Sequence, residues 1–394
     1  MFDSSMRDVW IRGAAMTRFG KHLDRSGREL AEEAVRDALR DADVEAHAIQ
    51  AAYVGNAVDG VMSGQESIRG QVVLRHTGLM GVPMVNVENA CATGATALHL
   101  GWQAVASGIH DCVLVLGWEK LCHEDPMRPL HALNASTDLG ELVEVFGSEQ
   151  AVGSAYMELF GSFADGSGRD RFSRESLALV SVKNHEHGAL NPCARYPRAV
   201  SQEDVLASRP VAGPMTLLMC SQLSDGAAGL VLSSSRASGS GRAVRIAASA
   251  LASGRGDDLL RPTAIERALR EACQAAGAGL EDMDVIELHD ATSVCELAVY
   301  EELGLCPRGE AERLIRDRVT WLGGRRPVNT SGGLMARGHP MGATGVAQAI
   351  ELVWQLQGRC GPRQVPGARL GLAQNAGGWV GTDAGACGIH ILEA

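Results

Sequence analysis

Apolar and polar positions along this chain follow first a helical period and then a strand-like run, and they do so twice. From Ala34 the stretch AVRDALRDADVEAHAIQAAYVGNA places alanine and leucine at helical spacing, then enters a short apolar segment ending at Ala57. Residues Ala268 to Ala291, ALREACQAAGAGLEDMDVIELHDA, repeat the pattern, and an offset of 234 aligns the two without a gap. Ala34, Arg36, Ala38 and Ala42 fall on Ala268, Arg270, Ala272 and Ala276. A second match joins Gly94-Ala95-Thr96 to Gly342-Ala343-Thr344 at an offset of 248. Each of these follows a strand-like segment (Met84 to Val87, Arg326 to Asn329) and precedes another (Cys112 to Gly117, Leu370 to Ala373). Strands feeding crossover helices in this order predict one α/β unit present in duplicate.

The stretch from about Leu121 to Gly241 breaks the symmetry. It holds LCHEDPMRPLHALN, FADGSGRDRFSR and NHEHGALNPCARYP, all rich in turn residues. The expected organisation is an N-terminal half over 1–120 and a C-terminal half over 242–394. Between them, 121–241 forms an insertion that covers the active site and ends in the last strand of the first half.

The offset of 248 also carries His339 onto Cys91, so the two most reactive-looking residues occupy equivalent places just before paired helices. A pseudo-twofold axis would set those helix starts face to face. Cys91 lies in VNVENACATGATAL, where a strand ends, small residues turn and a helix begins. Backbone N–H groups and the helix dipole there favour an anion, which predicts a thiol shifted toward the reactive thiolate. His339, in SGGLMARGHPMGATG, can take the proton of Cys91 or donate to a developing oxyanion; the alternative is a turn histidine at a helix start. His289, in VIELHDATSVCEL, ends an apolar strand, where ligands bind in open α/β sheets, or else is a solvated loop residue beside Asp290. Gly377 and Gly378, in AQNAGGWVG, follow another strand and can present backbone donors to an oxyanion.

Composition narrows the classes. With 45% hydrophobic and 21% charged residues, the 394-residue chain reads as an ordinary soluble protein of two or three cores. A net charge of −11 and no Lys/Arg-rich run argue against nucleic-acid binding. No apolar stretch approaches the ~20 residues that span a bilayer, and the N-terminus lacks the charged and apolar regions of a signal peptide. Ten cysteines without CxxC spacing suggest neither a disulfide framework nor a metal site, so a reducing cytoplasm is expected.

Seven motifs in order resemble the thiolase superfamily over nearly the whole chain: NACATGA, GWEKL, KNHEHGALNP, SDGAA, ELHDATS, GHPMGATG and QNAGG. They are most like the sterol-carrier-protein-type thiolases and the lipid-transfer-protein thiolase-like acyltransferases. The resemblance implies an α/β fold of two βαβαβαββ halves in a layered αβαβα core. It implies that Cys91 is acylated, that His339 activates it and helps bind the thioester oxygen, and that His289 serves a first oxyanion hole. Gly378, beside Gly377, would serve a second hole together with the N–H of Cys91. The implied activity is thiolysis of a 3-oxoacyl-CoA or the reverse Claisen condensation, with coenzyme A as substrate, no tightly bound cofactor and no metal. Relatives that are retro-aldolases, or that transfer acyl groups to carbon without CoA, supply the alternatives. The implied partners are a second copy, joined through the N-terminal half near Val85 to Val87, and a small zinc-ribbon/OB-fold protein.

The chain departs from the family at one point. The second catalytic cysteine of such enzymes aligns with Ala291 or with Gln374-Asn375. Cys295 and Cys387 are expected to be core residues, leaving His289 or a water to move the second proton.

Overall fold

The computed structural model describes residues 6–146, 155–164, 172–236, 243–255, 262–381 and 383–394. The boundary expected at 241/242 and the turn-rich residues 165–171 lie outside them. Among the described residues nine strands form one sheet: β1 (Trp10–Met16), β2 (Ala51–Gly55), β3 (Met84–Val87), β4 (Cys112–Glu119), β7 (Gly226–Ser233), β8 (Val244–Ser253), β9 (Val285–Glu287), β10 (Leu370–Val380) and β11 (Asp383–Glu393). Two short strands, β5 (Pro210–Ala212) and β6 (Met215–Thr216), pair separately.

The sheet order β3-β2-β4-β7-β1-β8-β11-β10-β9 carries the duplication. In the first half β3, β2 and β4 run parallel, and β7 and β1 follow antiparallel. In the second half β9 and β10 run parallel, and β11 and β8 follow antiparallel. Trp10 and Ile11 join the halves by pairing with Arg245 and Val244. The counterpart of β3 is reduced to an isolated bridge between Val328 and Ile286, although Arg326 to Asn329 reads as a strand. Pro327 offers a carbonyl to Ile286 but has no N–H to return, so the ladder stops there.

The alanine-rich helices lie where the repeat puts them. Gly27–Ala42 connects β1 to β2 and opens on a capping box of Ser26 and Glu29; Ala264–Ala276 connects β8 to β9 and opens on one of Thr263 and Glu266. Leu30, Ala34 and Ala38 form the buried stripe of the first. Small residues are needed because the helix rests almost on the strand: a Cβ on Gly13 would stand 2.3 Å from the Ala38 carbonyl oxygen.

Thr93–Ala106 and Met341–Gln357 are the second helix pair, and they pack on each other. Met341–Gln357 touches β4 and β7 of the first half as well as β9 and β10 of its own. A Cβ on Gly94 would come within 2.8 Å of the Gly342 carbonyl oxygen, and one on Gly345 within 2.3 Å of Ala95 N. The repeated glycines therefore permit backbone contact between the two helix starts. Between β4 and β7 the helices Met127–Asn134, Ala155–Ala164, Arg174–Ala189 and others precede β7, and several supply walls of the cavity above Cys91. Among the described residues, no helix is long and apolar enough to cross a membrane.

Candidate active site

Cys91 sits in a single 3₁₀ turn, Ala90–Ala92, that runs directly into Thr93–Ala106. The turn is tight. Ala90 takes φ +49, a left-handed conformation that costs a residue bearing a Cβ about 1–2 kcal/mol, and the Glu88 carboxylate accepts its N–H at 2.6 Å. Opposite, Gly338 at φ +105 delivers His339, whose N–H donates to the Gln222 carbonyl. The result is a Cys91 Sγ to His339 Nε2 separation of 3.3 Å across 248 residues of sequence.

Hydrogen-bond bookkeeping sets the tautomer. The Thr344 hydroxyl donates to the Pro340 carbonyl at 3.0 Å, so its oxygen is left to accept from His339 Nδ1 at 2.7 Å. Nδ1 therefore carries the proton, and Nε2 offers its lone pair to the thiol.

His289 has the opposite arrangement. It follows β9, its N–H donates to the Gln374 side chain, and its Nδ1 lies 2.9 Å from the Asn375 amide nitrogen. The Asn375 oxygen has no hydrogen-bond partner among the described residues. With the amide N–H donating to Nδ1, the His289 proton sits on Nε2. The two rings meet edge to face with centroids 5.2 Å apart. One imidazole turns a lone pair toward Cys91, and the other carries its N–H on Nε2.

Burial changes the expected state of the nucleophile. Desolvation pushes the Cys91 thiol up to about 12, and the charges of Glu119 and Glu88 add to it. The thiolate expected from the helix start is thus not the resting form; removal from water outweighs the helix dipole. Burial also lowers His289 to about 4 and holds His339 well below its usual value, with His289 and Arg337 adding to the latter. The pair rests as neutral thiol and neutral imidazole.

Several residues given no role at the sequence level hold this geometry. Glu119, from GWEKL, is fully buried and accepts from Asn56 Nδ2, Ala57 N, Val58 N and Gly342 N, tying the end of β2 to the helix start after His339. Lys120 of the same motif pairs at 2.7 Å with Asp225 of SDGAA. Asn184 donates to both Asp290 and Glu296, and Lys183 pairs with Glu296, so KNHEHGALNP is the platform under the HD turn. Thr344 and Asn375 lay inside motifs that were already visible. What was missing was the partner of each.

Gly377 and Gly378 lie within β10, not in a loop after it. A Cβ on Gly377 would meet Ala92 N at 2.1 Å and Cys91 N at 2.7 Å, so the missing side chain lets this strand press on the cysteine turn. Gly378 adopts φ +70, and both line the cavity. That cavity, about 890 Å³, brings Cys91, His289 and His339 together. Its walls include Tyr156, Phe160, Phe163, Phe172 and Trp379. Cys91, His289 and His339 also present atoms within 4.8 Å of one another that could ligate a metal ion. A cation there would need the Nε2 proton of His289 removed, and the Asn375 contact opposes that.

The duplicated α/β core sets a cysteine at one central helix start and a histidine at the other. The chain belongs to the thiolase family. Residues 9–236 match the thiolase N-terminal domain and residues 247–388 the thiolase C-terminal domain-like family. It is 41% identical over 399 residues to the acetyl-CoA acetyltransferase of Methanothermobacter thermautotrophicus, covering 98% of this chain and 100% of that protein. It is 33% identical to the benzoylsuccinyl-CoA thiolase subunit BbsB of Thauera aromatica, over 94% of this chain and 95% of that one. Identity to human sterol carrier protein 2 is 34%, over 95% of this chain and 70% of that protein. Among solved structures, the Ltp2-ChsH2(DUF35) aldolase aligns with a TM-score of 0.80 at 23% identity, covering 100% of this chain and 99% of that one, which is a likeness of fold. This enzyme is a thiolase-like acyltransferase.

Proposed function

We propose that the enzyme cleaves a 3-oxoacyl-CoA by thiolysis, or runs the reverse Claisen condensation, through an acyl-Cys91 intermediate. The observation that carries this reading is the 3.3 Å approach of Cys91 Sγ to an unprotonated His339 Nε2. As the sulfur attacks the 3-oxo carbonyl, His339 takes the thiol proton. The C2–C3 bond then breaks, and its electrons leave as the enolate of the departing acyl-CoA. In this reading His289 Nε2–H donates to the oxygen of that enolate, while the N–H of Cys91 and Gly378 serve the other oxyanion. The aromatic walls favour an acyl group that is large and apolar.

Mass spectrometry after incubation with acetyl-CoA, branched-chain acyl-CoAs and benzoyl-CoA tests this directly. A single acyl adduct on the Cys91 peptide is expected, strongest with the bulky thioesters. An unmodified Cys91 with every thioester would remove the covalent mechanism.

The assembly proposed is a homodimer. β3 forms the outer edge of the sheet and exposes Val85 (42%), with Met80 and Ile68 also exposed. An uncovered apolar edge strand is a template for a second strand, and an antiparallel copy of itself satisfies twofold symmetry. Light scattering should give twice the 41.5 kDa chain mass at micromolar concentration, and a monodisperse monomer would contradict the assembly.

A further inference from the structure

The chemistry above needs a second proton carrier. The enolate that leaves must be protonated at C2, and the CoA thiol that collects the acyl group must lose its proton. At Ala291, where the family's cysteine would stand, the cavity wall is a methyl group. The tautomer of His289 excludes it from this work. With Nδ1 occupied by Asn375 and the proton on Nε2, it has no lone pair with which to act as a base, and giving up that proton would leave an imidazolate. It can bind an oxyanion but not shuttle a proton.

Three cysteines besides Cys91 are candidates, and the structure separates them. Cys387 is fully buried in β11, its sulfur lies 3.8 Å from the Gln374 amide, and it is not part of the cavity wall. Cys220 reaches the cavity, but its S–H is directed to the Thr216 carbonyl at 3.5 Å. Cys295 also lines the cavity, from the first turn of the helix Ser293–Leu303. Its sulfur is an acceptor there: the Thr292 hydroxyl donates to it at 3.2 Å. The S–H proton of Cys295 therefore remains available to the cavity, and the hydroxyl would stabilise the thiolate left behind. Cys295 is also near enough for its charge to act on both Cys91 and Cys220.

We propose that Cys295 is the second acid/base of this enzyme, displaced by one helical turn from the position that Ala291 occupies. Its S–H protonates C2 of the enolate and becomes a thiolate. That thiolate removes the proton of the incoming CoA thiol, and the resulting CoA sulfur attacks the acyl-Cys91 carbonyl. The Cys91–carbonyl bond breaks, and the Cys91 sulfur recovers the proton held on His339. Cys295 ends the cycle protonated, and no further reactant is needed. Burial pushes this thiol up to about 12, with Asp290 and Glu302 adding to it, which suits both halves of the cycle. The group rests as an acid, and once ionised it is more basic than an ordinary thiol of about 8.5.

This assignment rests on the thiolytic reading, and the test keeps the two separable. Three readouts are used: thiolysis of benzoylacetyl-CoA, acylation of Cys91 by benzoyl-CoA, and wash-in of deuterium at C2 of acetyl-CoA in D₂O. Cys295→Ala should lower thiolysis and deuterium exchange by about 100-fold or more, while Cys91 is still acylated. Cys295→Ser, which keeps the Thr292 contact, should behave alike. Adding Ala291→Cys to Cys295→Ala should recover exchange by at least about tenfold, because residue 291 faces the same cavity. Thiolysis and exchange within threefold of wild type in Cys295→Ala would overturn the proposal. So would loss of acylation together with exchange in both single variants, since Cys295 would then be holding the site together. Wild-type protein that neither acylates at Cys91 nor cleaves the substrate would instead bring down the acyl-transfer reading and this proposal with it.

Discussion

Cys91→Ser is expected to form no acyl-enzyme and to lower thiolysis by about 10⁴-fold or more, with the fold unchanged. The substitution is nearly isosteric, so the Ala90–Ala92 turn and the contact with His339 survive. What is lost is a sulfur able to attack while its proton passes to a neutral imidazole. The same cysteine should show an unusual pH profile toward iodoacetamide. A thiol raised to about 12 stays protonated at neutrality, so its labelling should rise about tenfold per pH unit through pH 9. A plateau reached near pH 7 would reveal a preformed thiolate–imidazolium pair and contradict the resting state described above. Full turnover of a CoA ester by Cys91→Ser would move the enzyme to the retro-aldol reading, which needs no acylated cysteine.

Glu119→Ala should be the most destabilising single change near the site, at about 3 kcal/mol or more. Its carboxylate accepts four N–H groups that have no access to water, from Asn56, Ala57, Val58 and Gly342. Alanine leaves those donors unpaired and opens a cavity at the seam between the halves. Activity should fall further than stability alone explains, because Gly342 lies in the first turn of the helix that follows His339. The pH dependence supplies a second check. Burial raises the Glu119 carboxyl from 4.5 to about 7. A folded-state pKa above the unfolded one means that its contribution is present below about 4.5 and is lost as pH rises through 7. Denaturant melts across that range should show a shallower decline in Glu119→Ala than in wild type. An equally stable variant with the wild-type slope would rule out this role.

Much of the site was legible before any coordinates. The offset of 248 that superposes two GAT helix starts also pairs Cys91 with His339, and the structure places them in contact. This worked because a duplicated fold writes its symmetry into local signals: glycines at close approaches, alanines where a helix rests on a strand, polar residues at helix starts. The strand expected at Arg326 to Asn329 was misjudged for a local reason as well, since Pro327 ends the ladder after one bridge.

The two α/β halves, the helix starts and the residue types available for chemistry are written in the order of amino acids, because those depend on neighbours within a few positions. Protonation and access come from the packed fold. Cys91 and Cys295 are both cysteines at helix starts, and nothing local says that one faces His339 while the other keeps its proton free beside Thr292. Nor does any motif tell a basic His339 from a donating His289. Their tautomers are set by Thr344 on one side and by Asn375, 86 residues away along the chain, on the other. Desolvation is likewise a property of the whole fold. It depends on everything packed around a group, and here it turned an expected thiolate into a buried thiol.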